Sequence, residues 1–441
     1  MVLASVRQSS LAGMLRPPSS LPLASRLLWM ACMGEGGVIG RLPEHPDIAA
    51  IMQAGQAMGA DGVIENNVAD IFGPSDPTPP DSISCASSPT LTRLLLPLSL
   101  LTGQPAGLDK PFLSPALARW TEEAALALGV RVMQTKGRLE VRGPPSGDAL
   151  PLAERAGAFF APGVLMAAPI SDIPLMATMD EFVLQQPSVQ LTLRALDRLS
   201  IGFSWEESEP TFTAVPGQTY PELNVEVEAD WRAGSYLLGA FLLAGRGAVS
   251  LPRDSVQSER SFWLGLEQAG RLRWNDSGDA LWAEAGEPVA LSPSLDMRSF
   301  SSLYPLALVL ATQATGPVRL EPLFPLSPRS RRRLLFCAQQ LVRIGADITI
   351  SDSFVEVRPS ALSGGEADSG GEGRIAMALA LAGLISKQPV SIVGAEAASK
   401  SHPAFWSDLQ SIGADIQLDY SAGEPEAETL AGAVKEESAR V

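Results

Sequence analysis

One phrase recurs six times along the 441 residues, and it restricts the chain to a repeated architecture. A helix end is followed by a Gly, a small residue and a strand-forming run. It reads Met58-Gly59-Ala60-Asp61, Leu128-Gly129-Val130-Arg131, Ser200-Ile201-Gly202-Phe203, Ala269-Gly270-Arg271-Leu272, Ile344-Gly345-Ala346-Asp347 and Ile412-Gly413-Ala414-Asp415. With Gly59, Gly129, Ser200, Gly270, Gly345 and Gly413 as markers, the successive differences are 70, 71, 70, 75 and 68 residues. A left-handed residue at the marker closes a helix and turns the chain into a strand, a conformation that Gly adopts without steric penalty. The period is longer than that of solenoid repeats, so each unit is a small subdomain.

Each unit holds more than the marked helix. An apolar helix and a short strand precede it: Ala24 to Met33 then Gly37 to Leu42 in the first unit, and Leu91 to Leu101 in the second. The fourth has Ala233 to Leu243 then Ala248 to Leu251, the fifth Leu303 to Ala311 then Pro317 to Leu320, and the sixth Ile375 to Ile385 then Val390 to Val393. Two strands follow each marker, as in Arg131 to Gln134 and Leu139 to Arg142. Alternation such as Asp347-Ile348-Thr349-Ile350 suits half-buried strands. The unit is βαβαββ, and its repetition makes the chain α/β. Ser360 to Gly373 reads as a mobile Gly-rich surface loop, and 421–441 as a disordered acidic tail.

Composition narrows the function. A formal net charge of −16 opposes binding to nucleic acid or an anionic membrane. Three Cys without metal spacing point to a reducing compartment and to buried apolar roles for the thiols. Two His, His45 and His402, leave no room for a His-rich metal site; His402 is read as a packing or surface residue. The apolar stretch Leu21 to Met33, interrupted by Arg26, reads as a buried helix rather than a targeting segment. The expectation is a cytoplasmic monomer that needs no metal or cofactor.

Six βαβαββ units carrying four motifs in order resemble the enolpyruvyl transferases. Pro18-Ser19-Ser20-Leu21-Pro22-Leu23-Ala24-Ser25-Arg26 sits where that family has Gly-x-Lys-Ser-x-Ser-x-Arg. Asp230-Trp231-Arg232-Ala233-Gly234-Ser235-Tyr236 resembles Asp-x-Ser-x-Ala-x-Tyr, and Gly373-Arg374-Ile375-Ala376-Met377-Ala378 sits at Asp-His-Arg-Met-Ala-Met. Lys400-Ser401-His402-Pro403-Ala404-Phe405-Trp406 resembles Lys-Ser/Thr-Phe/Tyr-Pro-x-Phe/Tyr. The resemblance implies a two-lobed inside-out α/β barrel with three units per lobe. One lobe would hold 1–19 and 229–420, the other 20–228. Gln104 to Asp109 lacks the reactive Cys of the sugar-nucleotide branch, which favours the branch that transfers carboxyvinyl from phosphoenolpyruvate to shikimate-3-phosphate in aromatic amino acid biosynthesis.

The resemblance also assigns cations. Lys110, Arg333, Arg374 and Lys400 would hold phosphoenolpyruvate, and Arg26 and Arg329 the shikimate-phosphate end. Arg93 matches a family Arg, and Glu372 is a candidate to replace lost carboxylates. Arg331 and Arg332 are left as surface charge. The proton-moving and acceptor-orienting positions depart from the pattern. Leu21 replaces a Lys, Ser302 the Asp that orients the attacking hydroxyl, and Ser330 a Glu. Gly157-Ala158-Phe159 replaces Ser-Ser-Gln, Gln185 and Ser188 replace a Ser and a Tyr, and Ser87-Ser88-Pro89 replaces Asn-Ala-Gly. No catalytic residue is assigned. Beside an impaired carboxyvinyltransferase, the pattern admits a non-catalytic paralogue binding a phosphorylated metabolite, or transfer to another acceptor.

Overall fold

The computed structural model describes residues 2–74, 81–86, 88–206, 210–323, 326 and 328–420; the tail 421–441 and Ser87 lie outside them. The described strands form six four-stranded sheets. All six share one plan: a parallel pair at one edge, then two antiparallel pairings. In the second unit, Ile83–Ser84 runs parallel to Gly107–Asp109, which pairs with Arg138–Arg142 and through it with Arg131–Thr135.

Three sheets are completed from far along the chain. Leu11–Leu15 is the parallel edge of the fourth unit, beside Gly245–Val249. Leu3–Val6 is inserted between Val390–Val393 and Ile416–Asp419 of the sixth. Leu223–Glu226 supplies the parallel edge of the first, beside Gly36–Gly40. The marker residues behave as their spacing predicts. Gly59, Gly129, Gly270, Gly345 and Gly413 have φ of +99°, +71°, +72°, +104° and +104°, and Ser200 takes the same turn at +57°.

The first helix of each unit is apolar on every side, which is the pattern of a helix with no solvent face. These six are Leu21–Met33 (α1), Pro89–Thr102 (α2), Glu154–Ala167 (α3), Trp231–Ala244 (α4), Tyr304–Thr312 (α5) and Gly373–Ile385 (α6). Leu23 to Cys32 is buried without interruption in α1, and every residue of α5 is buried. Their starts are written in the sequence. The Ser88 hydroxyl accepts the Thr90 N–H at the head of α2, and Asp230 accepts the Arg232 and Ala233 N–H groups at the head of α4. Close packing needs two glycines. A Cβ on Gly163 of α3 would stand 2.0 Å from the Arg93 carbonyl oxygen of α2, and one on Gly239 of α4 2.8 Å from Leu306 of α5.

Burial divides into two hydrophobic cores. One gathers α4, α5 and α6 with Val6, Leu11 and Leu15 from the N-terminus. The other gathers α1, α2 and α3 and reaches Val227. The chain passes between them on two adjacent segments, where Ser20 N–H donates to the Glu228 carbonyl and Asp230 N–H to the Pro18 carbonyl. Away from that crossing the lobes touch through Arg298–Glu181 at 2.9 Å and Arg198–Asp254 at 2.7 Å. No described helix is long and apolar enough to cross a membrane.

One sequence expectation is corrected. The stretch read as a mobile loop contains the strand Gly365–Asp368, which runs parallel to Val390–Val393. Its Asp368 N–H donates to Gln340, so even its end is anchored. The ladder, rather than side-chain propensity, makes it a strand.

Gly163→Ala should force α2 and α3 apart and lower stability by roughly 1–3 kcal/mol, the usual range for an overpacked core. Equilibrium denaturation measures this; an unchanged midpoint would contradict the observed contact.

Candidate functional site

The residues singled out by sequence are shared between the two lobes. In the lobe built on α4, α5 and α6, guanidinium groups crowd together. Arg374 sits in the first turn of α6, Arg232 in the first turn of α4, and Arg333 on the helix Pro328–Arg343. Burial lowers the pKa of Arg374, the Arg232 charge lowers it further and Arg333 adds to this, while Tyr236 and Glu372 pull the other way. Burial also opposes the charge of Arg232, but Asp230 and Glu259 outweigh it and leave its pKa above the ordinary value. Arg333 Nε donates to Glu372 at 2.6 Å. The exposed Lys400 reaches the Gly371 carbonyl at 3.2 Å, just ahead of α6. The buried Tyr236 hydroxyl has no protein hydrogen-bond partner.

Such a cluster is costly without a counter-charge, since half-buried like charges repel in a medium that screens them poorly. Two helix N-termini add their partial positive charge to it. The arrangement is suited to a small, multiply charged anion. Arg333, Arg374 and Lys400, chosen from sequence, are thus brought together. Arg232 was missed: it stands where the motif has Ser, and its place in a helix first turn was the available signal. Lys110 comes from the other lobe. It is exposed, with φ +50° and its N–H donated to the Gly137 carbonyl.

The second lobe's side of the cleft differs in character. Arg26 is not a free cation. Its Nε donates to Thr192 Oγ1 at 2.7 Å, Nη1 to the Pro22 carbonyl at 2.6 Å and Nη2 to the Ser188 carbonyl at 2.7 Å. Burial, helped by the nearby Arg93 charge, brings its pKa down to about 9. Arg26 therefore clasps α1 to the helix Pro187–Arg198. Arg93 lies over the Phe159 ring at 4.8 Å, with Phe112 on the other side at 6.4 Å from Phe159. Its Nε is buried without a partner, and burial lowers its pKa against the opposing pull of Asp47. At the head of α3, Asp180 accepts the Glu154 N–H at 2.8 Å and the Val183 N–H at 2.7 Å. Carboxylate thus occupies a helix terminus that an anion could otherwise use.

A small interlobe pocket gathers Gln185 and Gln186 from one lobe with Arg298, Ser301 and Ser330 from the other. Gln185 and Ser330, matched to the acceptor end by sequence, are therefore neighbours. Ser302 follows directly, and its hydroxyl donates to the buried Glu259 at 2.8 Å. Arg329 lies in Pro328–Arg343, and its side chain falls outside the described residues; Arg331 and Arg332 are exposed. His402 is buried, paired with Asp408 at 2.7 Å. Among the described residues, no group of three or more His, Cys, Asp or Glu is placed to hold a metal ion.

Comparison with known proteins places this geometry. The family model described as EPSP synthase (3-phosphoshikimate 1-carboxyvinyltransferase) matches residues 6–409. A 3-phosphoshikimate 1-carboxyvinyltransferase of Methanocorpusculum labreanum is 27% identical, over 93% of this chain and 99% of that protein. One from Halobacterium salinarum is 28% identical, over 93% and 99%. The solved EPSP synthase of Acinetobacter baumannii superposes with a TM-score of 0.74 at 18% identity, covering 95% of this chain and 100% of that one.

The three cysteines are free and buried, and burial raises the thiol pKa of Cys32 to about 12, Cys85 to about 11 and Cys337 to about 12. Folded protein should therefore leave a thiol reagent unconsumed in neutral buffer, and unfolded protein should titrate all three thiols. Rapid labelling of any one in the folded state would contradict the packing.

Proposed function

This chain belongs to the EPSP synthase family, and we propose that it transfers the carboxyvinyl group of phosphoenolpyruvate to the 5-hydroxyl of shikimate-3-phosphate. The observation that carries the reading is the guanidinium cluster at the paired heads of α4 and α6. Arg333, Arg374 and Lys400, joined by Arg232, present fixed positive charge to the phosphate and carboxylate of phosphoenolpyruvate. Lys110 would contribute from the opposite lobe on closure. The acceptor oxygen bonds to C2 as its O–H bond breaks, and C3 takes up a proton, so that the addition leaves the proton count unchanged. Phosphate then leaves as C3 gives that proton back. Charge on the phosphate is highest as it departs, and preoriented donors act most strongly there.

The acceptor end works with fewer charges. Arg26 supports it by holding α1 against Pro187–Arg198, and Arg329 is placed there by its sequence register. Phe112 and Phe159 give that end an aromatic wall, while Arg93 keeps a cation behind it. On this reading the protein is a cytoplasmic monomer in aromatic amino acid biosynthesis, with two small anions as its partners.

Purified protein supplied with phosphoenolpyruvate and shikimate-3-phosphate should release phosphate and form an enolpyruvyl product of the corresponding mass. Folded protein that binds phosphoenolpyruvate and forms no such product would overturn the reading in favour of a binding protein or another acceptor. Arg374→Ala should abolish phosphoenolpyruvate binding in calorimetry; unchanged binding would remove the anion site from the argument.

Glyphosate should inhibit weakly. Pro89, at the head of α2, replaces the Gly of the inhibitor-contacting stretch, and a Pro offers no N–H to an anion. Tight inhibition of turnover would show that the register assigned to Pro89 is wrong.

A further inference from the structure

We infer that Glu259 is the carboxylate that positions the attacking hydroxyl, acting through Ser302; the inference rests on the carboxyvinyl-transfer reading above. Ser302 lies in the short 3-10 turn Arg298–Leu303 that feeds α5, at the position the family resemblance gives to an orienting Asp. A serine alone is a poor substitute, because a free hydroxyl can rotate to donate or to accept. Here that freedom is removed. Ser302 Oγ–H donates to Glu259 Oε1 at 2.8 Å, across 43 residues of sequence. With its one proton committed, Ser302 has only lone pairs left to offer. What it can then recognise is a hydrogen-bond donor, which an attacking hydroxyl is. The negative charge behind the serine polarises that hydroxyl oxygen, as successive hydrogen bonds strengthen one another in a poorly screened interior.

Glu259 is itself placed with little freedom. It lies in the 3-10 turn Ser258–Trp263 and is 4% exposed. Ser258 Oγ stands 3.5 Å from Oε2, and Arg232 Nε stands 3.4 Å from Oε1. A buried carboxylate needs partners, and Arg232 stands beside this one as its counter-charge while Ser302 supplies a hydrogen bond. Arg232 is also the cation next to Arg374. One carboxylate thus links the hydroxyl-orienting serine to the anion cluster, so both substrates are registered against the same fixed group. Glu259 touches neither substrate in this arrangement; it is a positioning residue.

A purely structural Glu259 would neutralise Arg232 and have no bearing on Ser302. A double-mutant cycle separates the two roles. Glu259→Gln keeps the size and an acceptor oxygen but removes the charge, and Ser302→Ala removes the relay. Each should lower kcat on the order of 10- to 100-fold, the scale of a misplaced reactant, and Ser302→Ala should do so with KM for phosphoenolpyruvate unchanged. The double variant should be no slower than the worse single one, because both changes break one path. Ser302→Asp introduced into the Glu259→Gln background should recover turnover by moving the charge forward. Unchanged kcat in folded Glu259→Gln, or losses that multiply in the double variant, would overturn the inference. Should Glu259→Gln fail to fold, Ser302→Ala against Ser302→Thr carries the test: turnover lost in the first and kept in the second supports the relay, and equal rates overturn it. If the unmodified protein forms no enolpyruvyl product, the functional reading fails on its own. The inference is then judged by calorimetry with shikimate-3-phosphate: equal weakening in Glu259→Gln and Ser302→Ala supports it, and unequal or absent weakening overturns it.

Discussion

The cleft is organised around positive charge that its own lobe cannot neutralise. Arg232 and Arg374 are brought together because the helices bearing them must be buried, and Arg333 joins them from the amphipathic helix Pro328–Arg343. α4 and α6 are apolar on all sides, so each fills the lobe interior and leaves only its first turn at the cleft. That turn bears unsatisfied N–H groups and the positive end of the helix dipole. Carboxylates balance part of the charge: Asp230 and Glu259 beside Arg232, Glu372 beside Arg333. The pKa of Arg374 is lowered, first by burial and then by the Arg232 charge. An anion entering there relieves repulsion already present in the folded protein.

The two sides of the cleft have diverged unequally. On the side of α4 and α6, Arg333, Arg374 and Lys400 stand together and Arg232 adds another cation. On the acceptor side, Arg26 is spent on Thr192, Pro22 and Ser188, and the head of α3 is capped by Asp180. At position 302 stands a serine whose hydroxyl donates to Glu259, 43 residues away in sequence. On the proposed reading, that side depends on residues from distant segments rather than on the local motif.

This explains which parts of the molecule were legible in the sequence. The six markers were, because a left-handed residue after a helix is a local requirement; Ser200 obeys it as fully as Gly129 does. The buried helices were, because a run such as Ile375 to Ile385 leaves no polar face. The strand Gly365–Asp368 was not: Gly-Glu-Ala-Asp has no β-branched residue, and only its partner Val390–Val393 makes it a strand. Arg26 in an apolar helix was ambiguous by nature, since snorkelling, ligand binding and internal clasping share one sequence pattern. The clasp depends on Thr192, 166 residues away. Glu259 carried no local signal, because its meaning comes from Ser302 and Arg232.

The borrowed strands bear on the order in which the protein can be assembled. Leu223–Glu226 closes the first sheet soon after the rest of its lobe has been made. Leu3–Val6 is made long before its partners Val390–Val393 and Ile416–Asp419. That strand must stay unpaired until both partners have been translated. A short strand with a polar residue at Ser5, followed by Arg7, is well suited to that wait, since it offers a growing chain little on which to aggregate. The lobe that carries the arginine cluster is therefore also the one that cannot close until strands far apart in the chain have both been made.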